Sequence, residues 1–143
     1  MTSYLEPTEQ NVVRLFARRI KGPITMLNLL RLREVADYSA SPELAPAAPI
    51  SGREAFDRYI DHTLPYLTAT GGDLVYLGEG GDYLIGPEGE GWDLVMLVRQ
   101  SSVDDFLSFA SNKGYLAGLG HRTAAVRDSR IVPLVDVVQA SSE

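Results

Sequence analysis

The 143-residue chain contains no cysteine, which excludes disulfides, thiolate metal sites and a cysteine nucleophile together. Histidine is nearly as scarce. His62 and His121 are the only two, and no His-x-x-His or His-x-x-x-His spacing exists to hold a metal ion. Thirteen Lys and Arg stand against nineteen Asp and Glu, a formal net charge of -6, and the basic residues form no run. A counterion-releasing patch of the kind that drives nucleic-acid affinity is therefore missing. No run of about 18 apolar residues is available to span a bilayer. The opening Met1 to Pro7 has neither the basic start nor the apolar centre of a signal peptide. A soluble, cytoplasmic protein with no nucleic-acid or membrane partner is expected. The Gly-x-Ser-x-Gly elbow, the Gly-x-x-x-x-Gly-Lys phosphate loop and a Gly-x-Gly-x-x-Gly turn leading from strand to helix are also absent. No cofactor is expected.

What is present is an ordinary globular composition, 45% hydrophobic and 22% charged, in a chain long enough for one domain over 1-143 with its own core. The stretch from Pro23 to Arg33 is apolar on both alternating sets, with Ile24, Met26, Leu30 and Leu32 on one face and Leu27 and Leu29 on the other. Neither set suits water, so this is a central strand. Asn28 falls on the first face and Arg31 and Arg33 on the second. A buried amide or guanidinium without a partner costs about 1 to 3 kcal/mol or more, so each must meet a structural partner or a ligand.

Before that strand, Thr8 caps a helix expected over residues 8-21, with Val12, Phe16 and Ile20 as its packing stripe and Gly22-Pro23 as its stop. Residues 34-50 carry three prolines and no period, and read as an insertion loop, either plain and mobile or a lid. Ser51 and Glu54 form a capping box for a second helix whose stripe is Phe56, Ile60, Leu64 and Leu67, with Pro65 expected to bend it. Leu74 to Leu77 and Tyr83 to Gly86 read as one strand bulged at Gly78, Gly80 and Gly81, and Trp92 to Arg99 as its hairpin partner, with Trp92, Leu94, Met96 and Val98 sharing a face. A third helix follows Ser101 or Ser102 and buries Val103, Phe106 and Ala110, with Phe109 at its margin. Short helical pieces then lie between Tyr115 and Val126. A last strand, Ile131 to Val138, contains Pro133 and so belongs at an edge or a bulge, and Ser-Ser-Glu is a frayed tail.

Leaving aside the first helix, the order is βαββαβ, the ferredoxin-like α+β arrangement of a four-stranded antiparallel sheet with its helices on one face. Strands apolar on both sides leave the second face uncovered. Its natural cover is the same face of a second copy, so a homodimer is expected.

Leu27-Asn28-Leu29-Leu30-Arg31, then Ser51-Gly52 with Ala55-Phe56 and Tyr59, Gly71-Gly72, Gly91-Trp92-Asp93, Tyr115 and His121-Arg122 together resemble the domain of unknown function 1330 family. The resemblance runs from about Ile24 to Pro133. It implies a dimeric α+β barrel and hands over no established activity. The first helix and the 34-50 loop depart from the shorter family pattern.

The candidate binding residues are Asn28, Arg31, Tyr59, Tyr76, Trp92, Tyr115 and Arg122, and the candidate catalytic residues are Asp93 and His121. Each has a structural alternative. Asn28 either orients a carbonyl or pairs with backbone, and Arg31 either clamps a carboxylate or forms an ion pair with Asp93 or Glu54. Asp93 is a partnered carboxylate or a general base. Trp92 and Tyr59 are core groups or stacking platforms, while Tyr76 and Tyr115 could present a phenol. His121 could act as acid or base near neutral pH, with Arg122 on an anion. His62 points away from its helix stripe and is expected to be solvated.

Two functions remain open at this point. One is a cofactor-independent enzyme acting by proton transfer or oxygenation on an aromatic or carboxylate-bearing metabolite. The other is a dimeric ligand-binding or accessory protein without chemistry.

Overall fold

Four strands, β1 (Ile24–Leu32), β2 (Asp73–Asp82), β3 (Gly91–Gln100) and β4 (Val126–Leu134), form one antiparallel sheet in the spatial order β2-β3-β1-β4. This is the ferredoxin-like order expected from the sequence, with both crossovers helical. The computed structural model describes residues 2–137. The expected end of the last strand at Val138 and the Ser-Ser-Glu tail lie outside them.

Helices α2 (Gly52–Ala69), α3 (Val103–Ala110), α4 (Lys113–Leu116) and α5 (Leu119–Ala125) carry the two crossovers. Their starts follow from side-chain caps. Ser51 and Glu54 complete the capping box of α2, Ser102 accepts from the Asp105 amide to start α3, and Asn112 accepts from the Tyr115 amide to start α4. Leu30, Leu94 and Met96 on the sheet meet Ala55, Phe56, Tyr59 and Leu67 of α2, Phe109, Tyr115, and Ala124 and Ala125 in one apolar cluster. Each large side chain fully buried there, such as Phe56, Leu30 or Leu94, contributes about 1.5 to 3 kcal/mol.

Several expectations shift in detail. Helix α2 runs on past Pro65 to Ala69, because Pro65 is on its exposed side, where the carbonyl left without an amide partner faces solvent and not the core. Leu64 is exposed, and the buried stripe is Ala55, Phe56, Tyr59, Thr63 and Leu67. In α3 the buried residue is Phe109, with Phe106 and Ala110 at the margin. Strand β2 is continuous through its glycines, and its irregularity falls between Leu74 and Tyr76 instead. The glycines are needed for close approach: a Cβ at Gly80 would strike the Trp92 carbonyl oxygen. Tyr83 to Gly86 lie beyond the strand, with Leu84 and Ile85 in solvent. Strand β4 starts at Val126, five residues before the expected start, and Pro133 is tolerated because β4 is a sheet edge.

The first helix, α1 (Glu9–Ala17), is capped by Thr8 and is shorter than expected. Arg19 adopts a left-handed φ of 49°, which ends it before the basic cluster. None of its residues is fully buried, so its apolar stripe does not pack as expected. The 34-50 segment is tied down. Val35 bridges Ser51, the Ala36 amide donates to Ile50, the Asp37 amide donates to Ala124, and residues Pro42–Leu44 make a short 3-10 turn. It is therefore a strap laid across α5 rather than a loose insertion.

Candidate functional site

The polar groups of β1 fall on opposite faces of the sheet and do not converge. Asn28 lies on the helix side, paired in register with Met96 and Ile131, and its Nδ2 donates to the Met26 carbonyl at 3.1 Å. Its amide is thus satisfied by its own strand.

Arg31 is the centre of a buried polar cluster at one end of the sheet. Its Nε donates to the Gly91 carbonyl at 2.7 Å and its Nη1 to Asp128 Oδ2 at 3.1 Å, with Glu90 a looser third partner at 3.7 Å. Its guanidinium lies 4.1 Å over the Trp92 ring. Arg130 donates to the other Asp128 oxygen at 2.7 Å and packs over Tyr4 and Trp92. The side chains of Arg31 and Asp128 are only 10% and 5% exposed, so this is a sealed ion pair. The expected partners, Asp93 and Glu54, are not the ones used. Trp92 serves as the floor of this cluster and lies outside the apolar cluster of Leu94 and Met96. Burial pushes the Asp128 carboxyl up, but the Tyr4 amide, Arg130 and the Ser129 amide outweigh it and hold the group below the usual carboxylate range.

Asp93 has a backbone task. The register between β1 and β4 shifts between Arg31 and Leu32, and Asp93 Oδ2 accepts the Leu32 amide at 2.7 Å. Two open depressions flank it. One of about 420 Å³ is lined by Leu32, Arg53, Glu79, Gly80, Asp93 and Leu94, and one of about 270 Å³ includes Arg31, Asp82, Glu90, Trp92 and Arg127. Binding clefts normally enclose most of a ligand, and these are surface hollows.

The aromatic candidates lie among the helices. Tyr59 and Tyr115 are buried with their hydroxyls 2.8 Å apart, and Tyr115 stacks on Phe109 at 4.4 Å between centroids. Burial, followed by the Tyr115 hydroxyl beside it, drives the Tyr59 phenol far above its ordinary range. Neither presents a phenol to solvent. Tyr76, in contrast, is exposed on β2. Arg122 donates to the Leu5 carbonyl and to Ser129 Oγ, so it fastens the amino-terminal segment to β4 and does not await an anion.

His121 Nδ1 is 2.7 Å from the Tyr38 hydroxyl, with the rings edge to face. Burial, then the nearby charges of Arg58 and His62, lower its pKa below the ordinary histidine value. His62, expected in solvent, is half-buried. Its Nε2 meets the Gly114 carbonyl at 2.7 Å and its ring covers Gly118, where a Cβ would collide with it.

Sequence reasoning missed Asp128 and Arg130, and it did not pair Tyr38 with His121. The alternation of Val126, Asp128 and Arg130 with Arg127 and Ser129 could have extended β4 back to Asp128, where it would face Arg31. Tyr38 is the single aromatic in the 34-50 strap. Among the described residues, no group of three His, Cys, Asp or Glu side chains could hold a metal ion, and no helix is long and apolar enough to cross a membrane.

No family model and no curated protein matches the chain. Solved structures do. The methylated RPA0582 protein is 33% identical over 100% of both chains with a TM-score of 0.83. A second structure of RPA0582, described as a protein of unknown function from Rhodopseudomonas palustris, matches 96% of this chain and 100% of its own at the same identity and TM-score. SnoaB, a cofactor-independent oxygenase from Streptomyces nogalater, shares the fold at 13% identity, covering 86% of this chain and all of its own, with a TM-score of 0.52. This chain belongs to the family of the Rhodopseudomonas palustris RPA0582 protein.

Proposed function

We propose that the protein is a homodimer that binds a small apolar or aromatic molecule between its two sheets and performs no chemistry on it. The observation that carries this reading is the sheet face turned away from the helices. There Leu27 and Leu29 of β1 lie in register with Leu97 and Val95 of β3, Tyr76 pairs with Leu97, and Val132 pairs with Leu27. Among the described residues, no helix covers this face. A second copy stacked face to face removes apolar surface from both.

Asn28, Arg31 and Asp93, the groups a reaction would need together, are each engaged by the protein, and Asn28 stands on the helix side of the sheet while Arg31 and Asp93 border a shallow depression on its other side. What remains to line a chamber between two such faces is an apolar centre of Leu27, Leu29, Val95 and Leu97, with Thr25 and Arg99 at one end, Arg130 beside Leu29 and the Tyr76 phenol at its rim. We extend the family assignment in the same way to the domain of unknown function 1330 family, on the Asn28 to Arg31 and Trp92-Asp93 pieces.

A second reading, a cofactor-independent enzyme, is favoured by one observation: the Tyr38–His121 pair keeps a neutral imidazole beside a phenol, on a fold that SnoaB shares. Thermal shift against a panel of aromatic and carboxylate metabolites separates the two. Stabilisation grows with ligand concentration over its dissociation constant, and mass spectrometry of each stabilising compound after incubation reports turnover. The binding reading expects stabilisation with the compound recovered intact. Conversion that is lost in His121→Gln establishes the enzyme instead.

A further inference from the structure

Arg31, Arg130 and Arg99 all lie on the sheet face turned away from the helices, and they are not equally engaged. Arg31 and Arg130 share the Asp128 carboxylate at one end of that face. Arg99 stands at the other end, two residues beyond Leu97 on the same side of β3, where it is half-buried. Among the described residues its side chain makes no hydrogen bond and no ion pair. Its register partner on the edge strand β2, Asp73, is exposed and out of ion-pair reach. Its register partner on β1 is Thr25, whose hydroxyl is likewise unengaged among the described residues. Residues directly opposite on antiparallel strands hold their Cβ atoms about 4.5 to 5.5 Å apart, so a guanidinium and a hydroxyl are offered side by side. A second copy of the face brings the same positive charge and no spare acceptor, since Asp128 is committed to two arginines and Asp93 to the Leu32 amide. A guanidinium covered by a second sheet and left without an acceptor is costly.

We infer that Arg99 and Thr25 of each protomer hold the carboxylate of the molecule bound between the sheets, and that its apolar body runs along Leu97 and Val95 to the ring of Tyr76. This rests on the chamber proposed above and names the class of its occupant. One guanidinium and one hydroxyl match a single negative charge on two oxygens, the complement of a carboxylate and half that of a phosphate monoester. The other end of the ligand is set by Tyr76. A Cβ at Gly78 would fall among its ring atoms, so the ring lies over Gly78, which is in register with Val95. From Val95 to Arg99 the strand advances about 13 Å at its usual rise per residue. An aromatic ring joined to a carboxylate by a short alkyl chain spans that interval, with the ring beside Tyr76 and the acid at Arg99.

The test uses the full-length dimer and two matched series, the phenylalkanoates from phenylacetate to phenylhexanoate and the corresponding phenylalkanols, titrated calorimetrically. The assignment predicts that at least one acid binds about tenfold more tightly than its alcohol. Arg99→Gln loses that preference and binds the alcohol as the wild type does, Arg99→Lys keeps part of it, and Thr25→Val lowers it severalfold without touching the charge. Tyr76→Ala weakens acid and alcohol alike. Equal binding of acid and alcohol by the wild type, or a preference that survives in both Arg99→Gln and Thr25→Val, overturns the carboxylate site and leaves the chamber standing. A preference that emerges only in Asp73→Asn shows Arg99 held by that carboxylate and overturns the site as well. A dimer that binds no member of either series overturns the chamber and this inference together.

Discussion

Arg31 and Asp128 are register partners on neighbouring strands, with Nη1 3.1 Å from Oδ2 and both side chains nearly inaccessible. Removing one member of a buried pair strands the other in a low-dielectric site. Asp128→Ala is therefore expected to destabilise the fold by about 3 to 5 kcal/mol, while Arg31→Met combined with Asp128→Leu loses much less. Urea denaturation of the wild type and the two variants measures the difference. Equal losses in the single and double variants would show that the pair is not the element at stake.

The same carboxylate predicts a direction with pH. Its folded-state pKa lies below its unfolded value near 3.8, so its contribution is complete above that value and is lost as pH falls through the depressed folded value. Unfolding monitored between pH 5 and 2 is expected to show a steeper acid loss in the wild type than in Asp128→Asn.

Tyr59 and Tyr115 satisfy each other's hydroxyls inside the core at 2.8 Å. Tyr59→Phe orphans the Tyr115 hydroxyl and is expected to cost about 1 to 3 kcal/mol, but the double change to Phe leaves nothing unpaired and costs less than the two single changes added together. Chemical denaturation of the four members of the cycle tests this. Strict additivity would mean that the hydroxyls do not interact.

His121 links the strap to α5 through Tyr38. Its depressed pKa means that the folded state resists protonation, so stability is full above the ordinary histidine value near 6.5 and declines as pH falls from there toward the folded value. Histidine resonances followed by NMR titration are expected to place His121 below 6.5. Tyr38→Phe should cost about 0.5 to 1.5 kcal/mol and raise hydrogen exchange at the Ala36 and Asp37 amides that hold the strap. Unchanged exchange would dissociate the phenol from the anchoring.

Much of this architecture was legible in the sequence, because periodicity and caps act locally. The Ser51–Glu54 box, the two-faced apolar run of β1 and the alternation of β3 point to their elements directly, and the βαββαβ order follows. Long-range polar pairing was less legible. Nothing near Arg31 in sequence indicates Asp128, since the apolar run that marks β4 begins only at Ile131 and the polar beginning that faces Arg31 lies between that run and the helical pieces ending at Val126. The candidate site diverged for a related reason. Asn28, Arg31 and Asp93 were selected as polar residues in apolar surroundings, and such residues are retained just as readily when a backbone carbonyl, a buried carboxylate or an orphan amide at a register shift is their partner. Helix α1 shows the converse failure. Its stripe is real, but its own chain does not cover it.

The uncovered sheet face is tested most directly by sedimentation equilibrium of the wild type beside two neighbours on β3, Leu94→Glu and Leu97→Glu, with circular dichroism of each. Leu94 points into the helix-side core and Leu97 away from it. The wild type is expected to be a dimer, Leu97→Glu a folded monomer, and Leu94→Glu unfolded. A monomeric wild type, or a Leu97→Glu variant that remains dimeric, would contradict the pairing of the two sheets.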